Sequence, residues 1–510
     1  MLRIKKYWQE HPLPSILWLA IILRMISVIF SKGFGMHDDH FLIIEVSQSW
    51  VDGTNFNNWL PGSQGAVPSG HSFFYTSLHF LLFLFLKIIG ITDPQTKMFI
   101  VRFLHALLSL LSVYMGYRIT EKIDGKEIAR KVGLLFAVFW IMPWLSVRNL
   151  VEVVCIPFLL TGSYILLKAE DRQNRMLWYV WAGMIFGLAF SIRFQTIIFS
   201  LGVGLALLFQ KKWKEGILFG LAYLFLASLV QCVTDIYFWG YPFAEVKEYI
   251  RYNMDNAYNY MTAGWYMYLL LILLVLIPPI SILLFIGFFR TWKKHLLLFL
   301  PTLLFIVFHS YFPNKQERFI LPILPYFFIL GMVGLNGWVK SAAFWQKRQL
   351  LLRRCWTLFW IVNLVLLPVV STMYSKRSRV ESMVYLSQYK GMKDILLEDT
   401  NHGRAKRAPR FYLTQWVTLH EFSKDKRYHP LKKIYPDSTE RPDFILFFGD
   451  KNLNTRIDSI KTICPNLEFE ATIHPSFMDD LMYRLNPINS NQTIFIYRNI
   501  DRMGKKTEQL

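Results

Sequence analysis

The stretch FFYTSLHFLLFLFLKIIGI, residues 73–91, decides how this chain is threaded. It is apolar and nearly the length of a bilayer span, which takes about 20 helical residues. If it crosses, the link RITEKIDGKEIARK (118–131) falls outside and the basic-inside bias inverts for several loops. If it lies on or dips into the outer leaflet, that link lands inside. So do LKAEDRQNR, QKKWKE, FRTWKKH and WQKRQLLLRR. One assumption then reconciles five loops, so the sequence predicts a helix here that does not cross. The basic N-terminus MLRIKKYW stays inside by the same rule, and the first apolar run, near Ser15 to Ser31, reads as an uncleaved anchor leading outward.

Composition agrees with a membrane protein. Of 510 residues, 54% are hydrophobic and 17% aromatic, and only 18% are charged, against about 25% in soluble proteins. The net charge of +21 sits in short links between apolar runs rather than in one basic domain. That distribution orients helices and attracts anionic headgroups, and it argues against nucleic acid as a partner. Cys155, Cys232, Cys355 and Cys464 form no CxxC pair, so neither a disulfide framework nor a zinc site is expected. Further spans are predicted at 98–117, 132–147, 151–167, 176–192, 194–210, 214–233, 266–289, 295–312, 319–338 and 355–374, about eleven in all with the first. The expected fold is therefore mostly α and polytopic, with residues 1–374 in the membrane domain and a first outer loop at about 32–97. Residues 375–510 contain the strand-like runs DFILFFGD and TIFIYRN and read as a small α/β domain outside the membrane, ending in a solvated tail, RMGKKTEQL.

An odd number of spans puts that domain on the same face as MHDDHF (36–41), where two carboxylates lie between two histidines. Other outer segments add polar groups to this face: Arg148, Asn149 and Glu152 in SVRNLVEVV, and Arg193 and Gln195 in SIRFQT. Asp235, Arg251 and Asn253 lie in TDIYFWGYPFAEVKEYIRYN, and Lys315, Glu317 and Arg318 in PNKQERF. Singly, each has an ordinary reading. Arg193 or Arg251 is a headgroup anchor, Asp38 or Asp39 a solvated loop acid, and Asn149 or Glu152 a helix cap. Convergence of acids and bases at span ends is what marks a site. Two decoys arise. PSGH (68–71) matches the central motif of lipid phosphatases but lacks the flanking Lys, Arg-Pro and Ser-Arg partners. His37, Asp38, Asp39, His40 and Glu45 could bind a metal, yet consecutive residues rarely converge on one ion, so none is expected.

Four segments in order resemble glycosyltransferase family 22, the GT-C, polyprenol-dependent mannosyltransferases. Asp38-Asp39-His40-Phe41 is similar to its outer-loop D-E-H/Y-F. Val101-Arg102-Phe103-Leu104-His105 with Ala106 to Ser109 is similar to its P-R-L-x-Q-A-L-L-S helix. Asp235, Tyr237-Phe238, Gly240 and Tyr249 to Asn253 resemble D-x-x-F-Y-G…L-R-Y-N. Asn314 to Phe319 with Pro322 and Pro325 resembles H-K-E-x-R-F…P…P. The chain departs at Asp39, where the family has Glu, at Asn314, where it has His, and at Gly264 to Tyr268, where it has Trp-His. The resemblance implies a GT-C bundle with juxtamembrane helices in the first outer loop, which agrees with the non-crossing reading of 73–91. It also implies a polyprenyl-phosphate sugar as donor, a glycan or glycolipid acceptor, membrane lipids as surroundings, and no cofactor. The chemistry implied is inverting displacement, with Asp38 as general base and Asp39 as second choice. Arg148, Arg193, Lys315 and Arg318 are then candidates for the donor phosphate, and His37, His40, Glu152, Gln195, Asp235, Arg251, Asn253 and Glu317 for other substrate contacts. The expected location is a bacterial inner membrane with the site on the periplasmic face. The alternative from another class is a lipid or solute transporter or flippase, which would not need the paired carboxylates and often shows internal repeats.

Overall fold

A computed structural model describes residues 7–56, 58–63, 65–172, 174–403, 406–424, 435, 441–487 and 491–504. The basic residues 1–6 and the tail from 505 onward lie outside the described residues. Packing divides the chain into two compact units. One comprises residues 1–30, 58–78 and 99–372, and the other 31–57, 79–98 and 373–510.

The first unit is helical. Among the described residues, seven helices are long and apolar enough to cross a membrane, or eight if the bent pair Met267–Val275 and Ile280–Arg290 is one broken span. The predicted total of about eleven is not reached by this measure, for identifiable reasons. The predicted span 98–117 and the first half of 132–147 fall within one 45-residue helix, Pro94–Val138, interrupted at Gly125. Two more form the short helices Thr196–Phe209 and Leu296–Tyr311. The decisive stretch is the helix Phe73–Ile88, of 16 residues. At 1.5 Å per residue it is about 24 Å long, short of a hydrocarbon core of about 30 Å. Residues Leu78, Leu81, Phe85 and Ile88 are exposed along it, which is the spacing of one helix face.

Helices approach closely where glycine removes the side chain. On Gly287, in the helix Ile280–Arg290, a Cβ would stand 2.2 Å from the Gly331 carbonyl oxygen, and on Gly334 it would stand 1.9 Å from that of Gly287. The helix Leu324–Ser341 can therefore lie almost backbone to backbone against its neighbour, the small-residue packing that membranes favour.

The second unit is built on a five-stranded sheet, β1 (Asp394–Asp399), β2 (Thr418–Ser423), β3 (Phe444–Phe448), β4 (Leu467–Ile473) and β5 (Ile494–Asn499), in the order β2-β1-β3-β5-β4. β1 runs parallel to both β2 and β3, and β5 pairs antiparallel with β3 and β4. The two predicted strand runs are β3 and β5, which are neighbours in the sheet. All five residues of β3 are buried, as expected of a continuous apolar run covered on both faces. Leu396, Ile445 and Phe447 pack with Ile457 and Ile460 of the helix Leu453–Lys461 to form the core on one side.

Candidate active site

Within the second unit, the segment before MHDDHF is tied to residues 373–376. Ser31 donates to the Met373 carbonyl at 3.1 Å, and the Ser375 amide donates to the Lys32 carbonyl at 3.1 Å. Gly33 lies at φ +76°, and a Cβ there would meet the Ser375 carbonyl oxygen at 1.9 Å, so only glycine fits. The Lys376 ammonium donates to the carbonyls of Phe34, at 3.1 Å, and Gly35. The chain then enters a π-helical stretch, Asp39–Ile44, followed by the α-helix Glu45–Val51. Such wide turns are uncommon and cluster at functional sites.

The paired acids and histidines occupy different environments. Asp38 is half-buried and Asp39 is buried. His37 is exposed and its ring packs on Phe41 at 4.4 Å. His40 is fully buried, stacked on Phe34 at 4.6 Å and on Tyr412 at 5.7 Å. Burial, with smaller contributions from His37, Lys376 and Arg379, pulls its pKa down to about 3, so the ring is neutral at neutral pH. His40 therefore serves the packing beneath the motif, and of the two carboxylates Asp38 is the one less buried. Lys376 and Arg379 were not singled out in the sequence, since no local pattern links them to a motif more than 330 residues upstream.

In the first unit, Glu152 is fully buried and gathers two guanidinium groups. Its Oε1 lies 2.8 Å from Arg193 Nη1 and 3.3 Å from Arg318 Nε. Arg193 also donates to Gln195, whose Oε1 lies 3.4 Å from His309 Nε2, and stands over the Phe319 ring at 5.3 Å. Arg318 donates to Gln316 Oε1 at 2.8 Å. Tyr249 joins this group: burial raises its pKa most, while Arg193 and Gln195 act to lower it. Two guanidinium groups thus converge on one buried carboxylate. His309 lies inside an apolar run, and a lone polar side chain in such a run was the available signal.

The remaining predicted residues do not join this cluster in the same way. Lys315 is buried and donates to the carbonyls of His309 at 2.7 Å, Ser310 at 2.8 Å and Phe312, closing the end of the helix Leu296–Tyr311. Glu317 is exposed at the start of a 3₁₀ turn. Arg148 is buried over the Trp144 ring at 4.8 Å and lines a small internal cavity with Arg24, His105 and Ser109. Arg251 is exposed and pairs on its own helix with Glu248 at 2.6 Å and Asp255 at 3.4 Å, and Asn253 donates to the Tyr249 carbonyl at 2.8 Å. Asp235 accepts from Gln231 at 2.8 Å and from the Glu245 amide at 3.1 Å, which caps the helix Ala244–Asp255.

The PSGH decoy also has a partner that sequence reasoning missed. Glu245 is buried, and its carboxylate accepts from the amides of Ser69 at 3.2 Å, Gly70 at 2.6 Å and His71 at 3.1 Å, and from the Trp239 indole at 2.9 Å. The loop's amides thus hold an internal carboxyl group. Burial outweighs these donors and pushes the Glu245 pKa up to about 8 from 4.5. The folded state therefore favours the protonated acid. Its contribution to stability is complete below about pH 4.5 and is lost as pH rises through about 8. Glu245→Gln, which cannot ionise, is expected to flatten the fall in thermal stability between pH 5 and 9. An unchanged pH slope in unfolding scans would remove Glu245 as its source.

Among the described residues, no group of three His, Cys, Asp or Glu side chains is placed to hold a metal ion. Among curated proteins, the chain is similar to mannosyltransferases. Mannosyltransferase APTG1 of Arabidopsis thaliana is 21% identical over 407 residues, 74% of this chain and 72% of that protein. Alpha-1,2-mannosyltransferase ALG9 of Mus musculus is 25% identical over 334 residues, 61% of this chain and 52% of that protein. This chain thus spans about half the length of the latter. Among solved structures, ArnT from Cupriavidus metallidurans bound to undecaprenyl phosphate superposes with a TM-score of 0.64 at 12% identity, covering 97% of this chain and 99% of that one. Oligosaccharyltransferase AglB from Archaeoglobus fulgidus, in complex with an inhibitory peptide and a dolichol-phosphate, gives 0.51 at 10% identity over 78% and 63% of the two chains. At such identities the structural likeness speaks for the fold, a GT-C-type helical membrane body with a small sheet domain. The profile of the Alg9-like mannosyltransferase family matches residues 15–409, and the chain belongs to that family.

Proposed function

We propose that the protein moves a hexose, of mannose type, from a polyprenyl-phosphate donor to a hydroxyl of a lipid-linked glycan or glycolipid. The observation that carries this reading is the Glu152–Arg193–Arg318 cluster, two guanidinium groups gathered on one buried carboxylate at the ends of apolar helices. Arginine pairs suit a phosphate because each presents a planar fork of donors. The relatives' names supply the sugar, and the lipid phosphates named with ArnT and AglB supply the class of carrier.

In the proposed step, the acceptor oxygen attacks the anomeric carbon and the bond from that carbon to the phosphate oxygen breaks. The acceptor proton goes to the Asp38 carboxylate, and the leaving group departs as polyprenyl phosphate, with inversion at carbon. Arg193 and Arg318, with Arg148, would stabilise the charge that grows on the leaving oxygen. Lys315, already committed to three carbonyls, would act by shaping the segment that carries Arg318. With guanidinium groups already in place, the displacement needs no metal. By the basic-inside bias of its loops the site would face outward, in our reading the periplasmic side of a bacterial inner membrane. The transporter alternative gains nothing from the family or the fold.

Mass spectrometry of lipid-linked glycans from cells with and without the gene tests the reading. The expected result is build-up of a species lacking one hexose. Identical glycan profiles would overturn it.

A further inference from the structure

Within the second unit, a polar cavity of about 460 Å³ lies among the first outer loop, the start of the helix Pro94–Val138 and the segment 387–416. That volume is within the range of small-molecule sites, about 300–1,000 Å³. Lys87, Lys97, Lys390 and Arg410 line it, against two acids, Asp52 and Asp93. Both acids are already engaged by neutral donors. Asp52 accepts from Gln48 at 3.0 Å and from the Trp416 indole at 3.0 Å, and Asp93 accepts from the Thr96 amide and hydroxyl, each at 2.7 Å.

Among the described residues, the cations by contrast find neutral groups at hydrogen-bond or ring-contact distance. Lys97 is 4% exposed and donates to Gln48 Oε1 at 2.9 Å. Lys87 donates to the Val51 carbonyl at 2.9 Å, and Lys390 to the Ser387 carbonyl at 3.1 Å. Arg410 stands over the Phe56 ring at 4.4 Å, and its buried Nε has no hydrogen-bond partner among the described residues. Glu45, Asp52 and Asp93 act on Arg410 or Lys97 only at longer range than an ion pair. A buried ammonium without a carboxylate is costly unless an anion completes it. The cavity also borders the helix Phe73–Ile88, which carries Lys87 in its last turn beside an exposed apolar face. An anion entering here would sit at the level of lipid headgroups.

We propose that this cavity is a phosphate-ester site, distinct from the Glu152–Arg193–Arg318 cluster, that holds a phosphate-bearing sugar or headgroup beside the membrane. Naming the acceptor glycolipid as its occupant rests on the function proposed above; phosphate binding itself does not, and it is measured without turnover. Full-length protein in phosphatidylcholine nanodiscs is titrated with mannose 6-phosphate and, as control, mannose, by calorimetry.

The expected result is binding of the phosphate ester alone, weakened at least about tenfold in Lys390→Gln/Arg410→Gln. If the double variant fails to fold, the exposed Lys390→Gln alone is expected to weaken binding severalfold. A second arm replaces part of the phosphatidylcholine with phosphatidylglycerol. Loss of mannose 6-phosphate binding there assigns the site to a lipid headgroup phosphate, and retention assigns it to a sugar phosphate. Equal affinity for mannose and mannose 6-phosphate, or binding unaltered in both variants, overturns the proposal. Loss of turnover in a variant of Glu152 with mannose 6-phosphate binding intact would bear on the function and leave this site standing.

Discussion

Asp38→Asn is expected to lower sugar transfer by about 10²- to 10⁴-fold, the range that a positioned general base supplies, with expression and donor-lipid binding unchanged. The substitution keeps the shape of the side chain and removes only its capacity to take a proton. Asp38 is preferred over Asp39 on burial. It is half-buried, so an acceptor hydroxyl can reach it, whereas Asp39 is buried at the first wide turn of the helix. Asp39→Asn is accordingly expected to act through the local fold, with a measurable loss of thermal stability alongside any loss of rate. Transfer from a radiolabelled polyprenyl-phosphate sugar, followed with purified protein, distinguishes the two. Wild-type turnover by Asp38→Asn would eliminate it as the base and pass the role to another carboxylate.

The parts of this protein that were legible in the sequence are those in which short patterns have one physical meaning. DFILFFGD reads as a buried strand because a continuous apolar run of that length leaves little choice, and it lies in the middle of the sheet as β3. The apolar runs read as membrane helices, but their lengths did not: interruption at Gly125 and breaks near Pro278 and Pro279 depend on how helices pack. Glu152, Arg193 and Arg318 could each be picked out as charges at span ends, although nothing local says that they share one ion-pair cluster. Arg251 carried its own warning. Glu248 and Asp255, at i−3 and i+4 on the same helix, are the signature of a solvated face. The tie between residues 31–35 and 373–376 left no trace, because every acceptor in it is a backbone carbonyl, which any residue supplies. Gly33 is the exception, and only the fold reveals why it must be glycine.

The second large effect is expected at Glu152. Glu152→Ala would remove the carboxylate shared by Arg318, which is buried, and Arg193, which is nearly so. Removing one partner of a buried ion pair costs about 3–5 kcal/mol, because the remaining charge keeps its desolvation penalty and loses its compensation. A marked fall in the thermal transition in detergent is therefore expected, with poor recovery of folded protein. Glu152→Gln separates structure from chemistry. It preserves the volume and one acceptor oxygen, so a smaller destabilisation is expected, while the cluster gains one unit of positive charge. If the cluster holds the donor phosphate, that added charge should tighten binding of the polyprenyl-phosphate product and slow its release. The turnover number would fall while the apparent donor affinity rises. A purely structural cluster predicts the opposite pattern for Glu152→Gln, with reduced stability and unaltered inhibition by polyprenyl phosphate. Product inhibition measured for wild type and Glu152→Gln at one pH decides between them: a lower inhibition constant in the variant supports a phosphate-holding role, and an equal one refutes it.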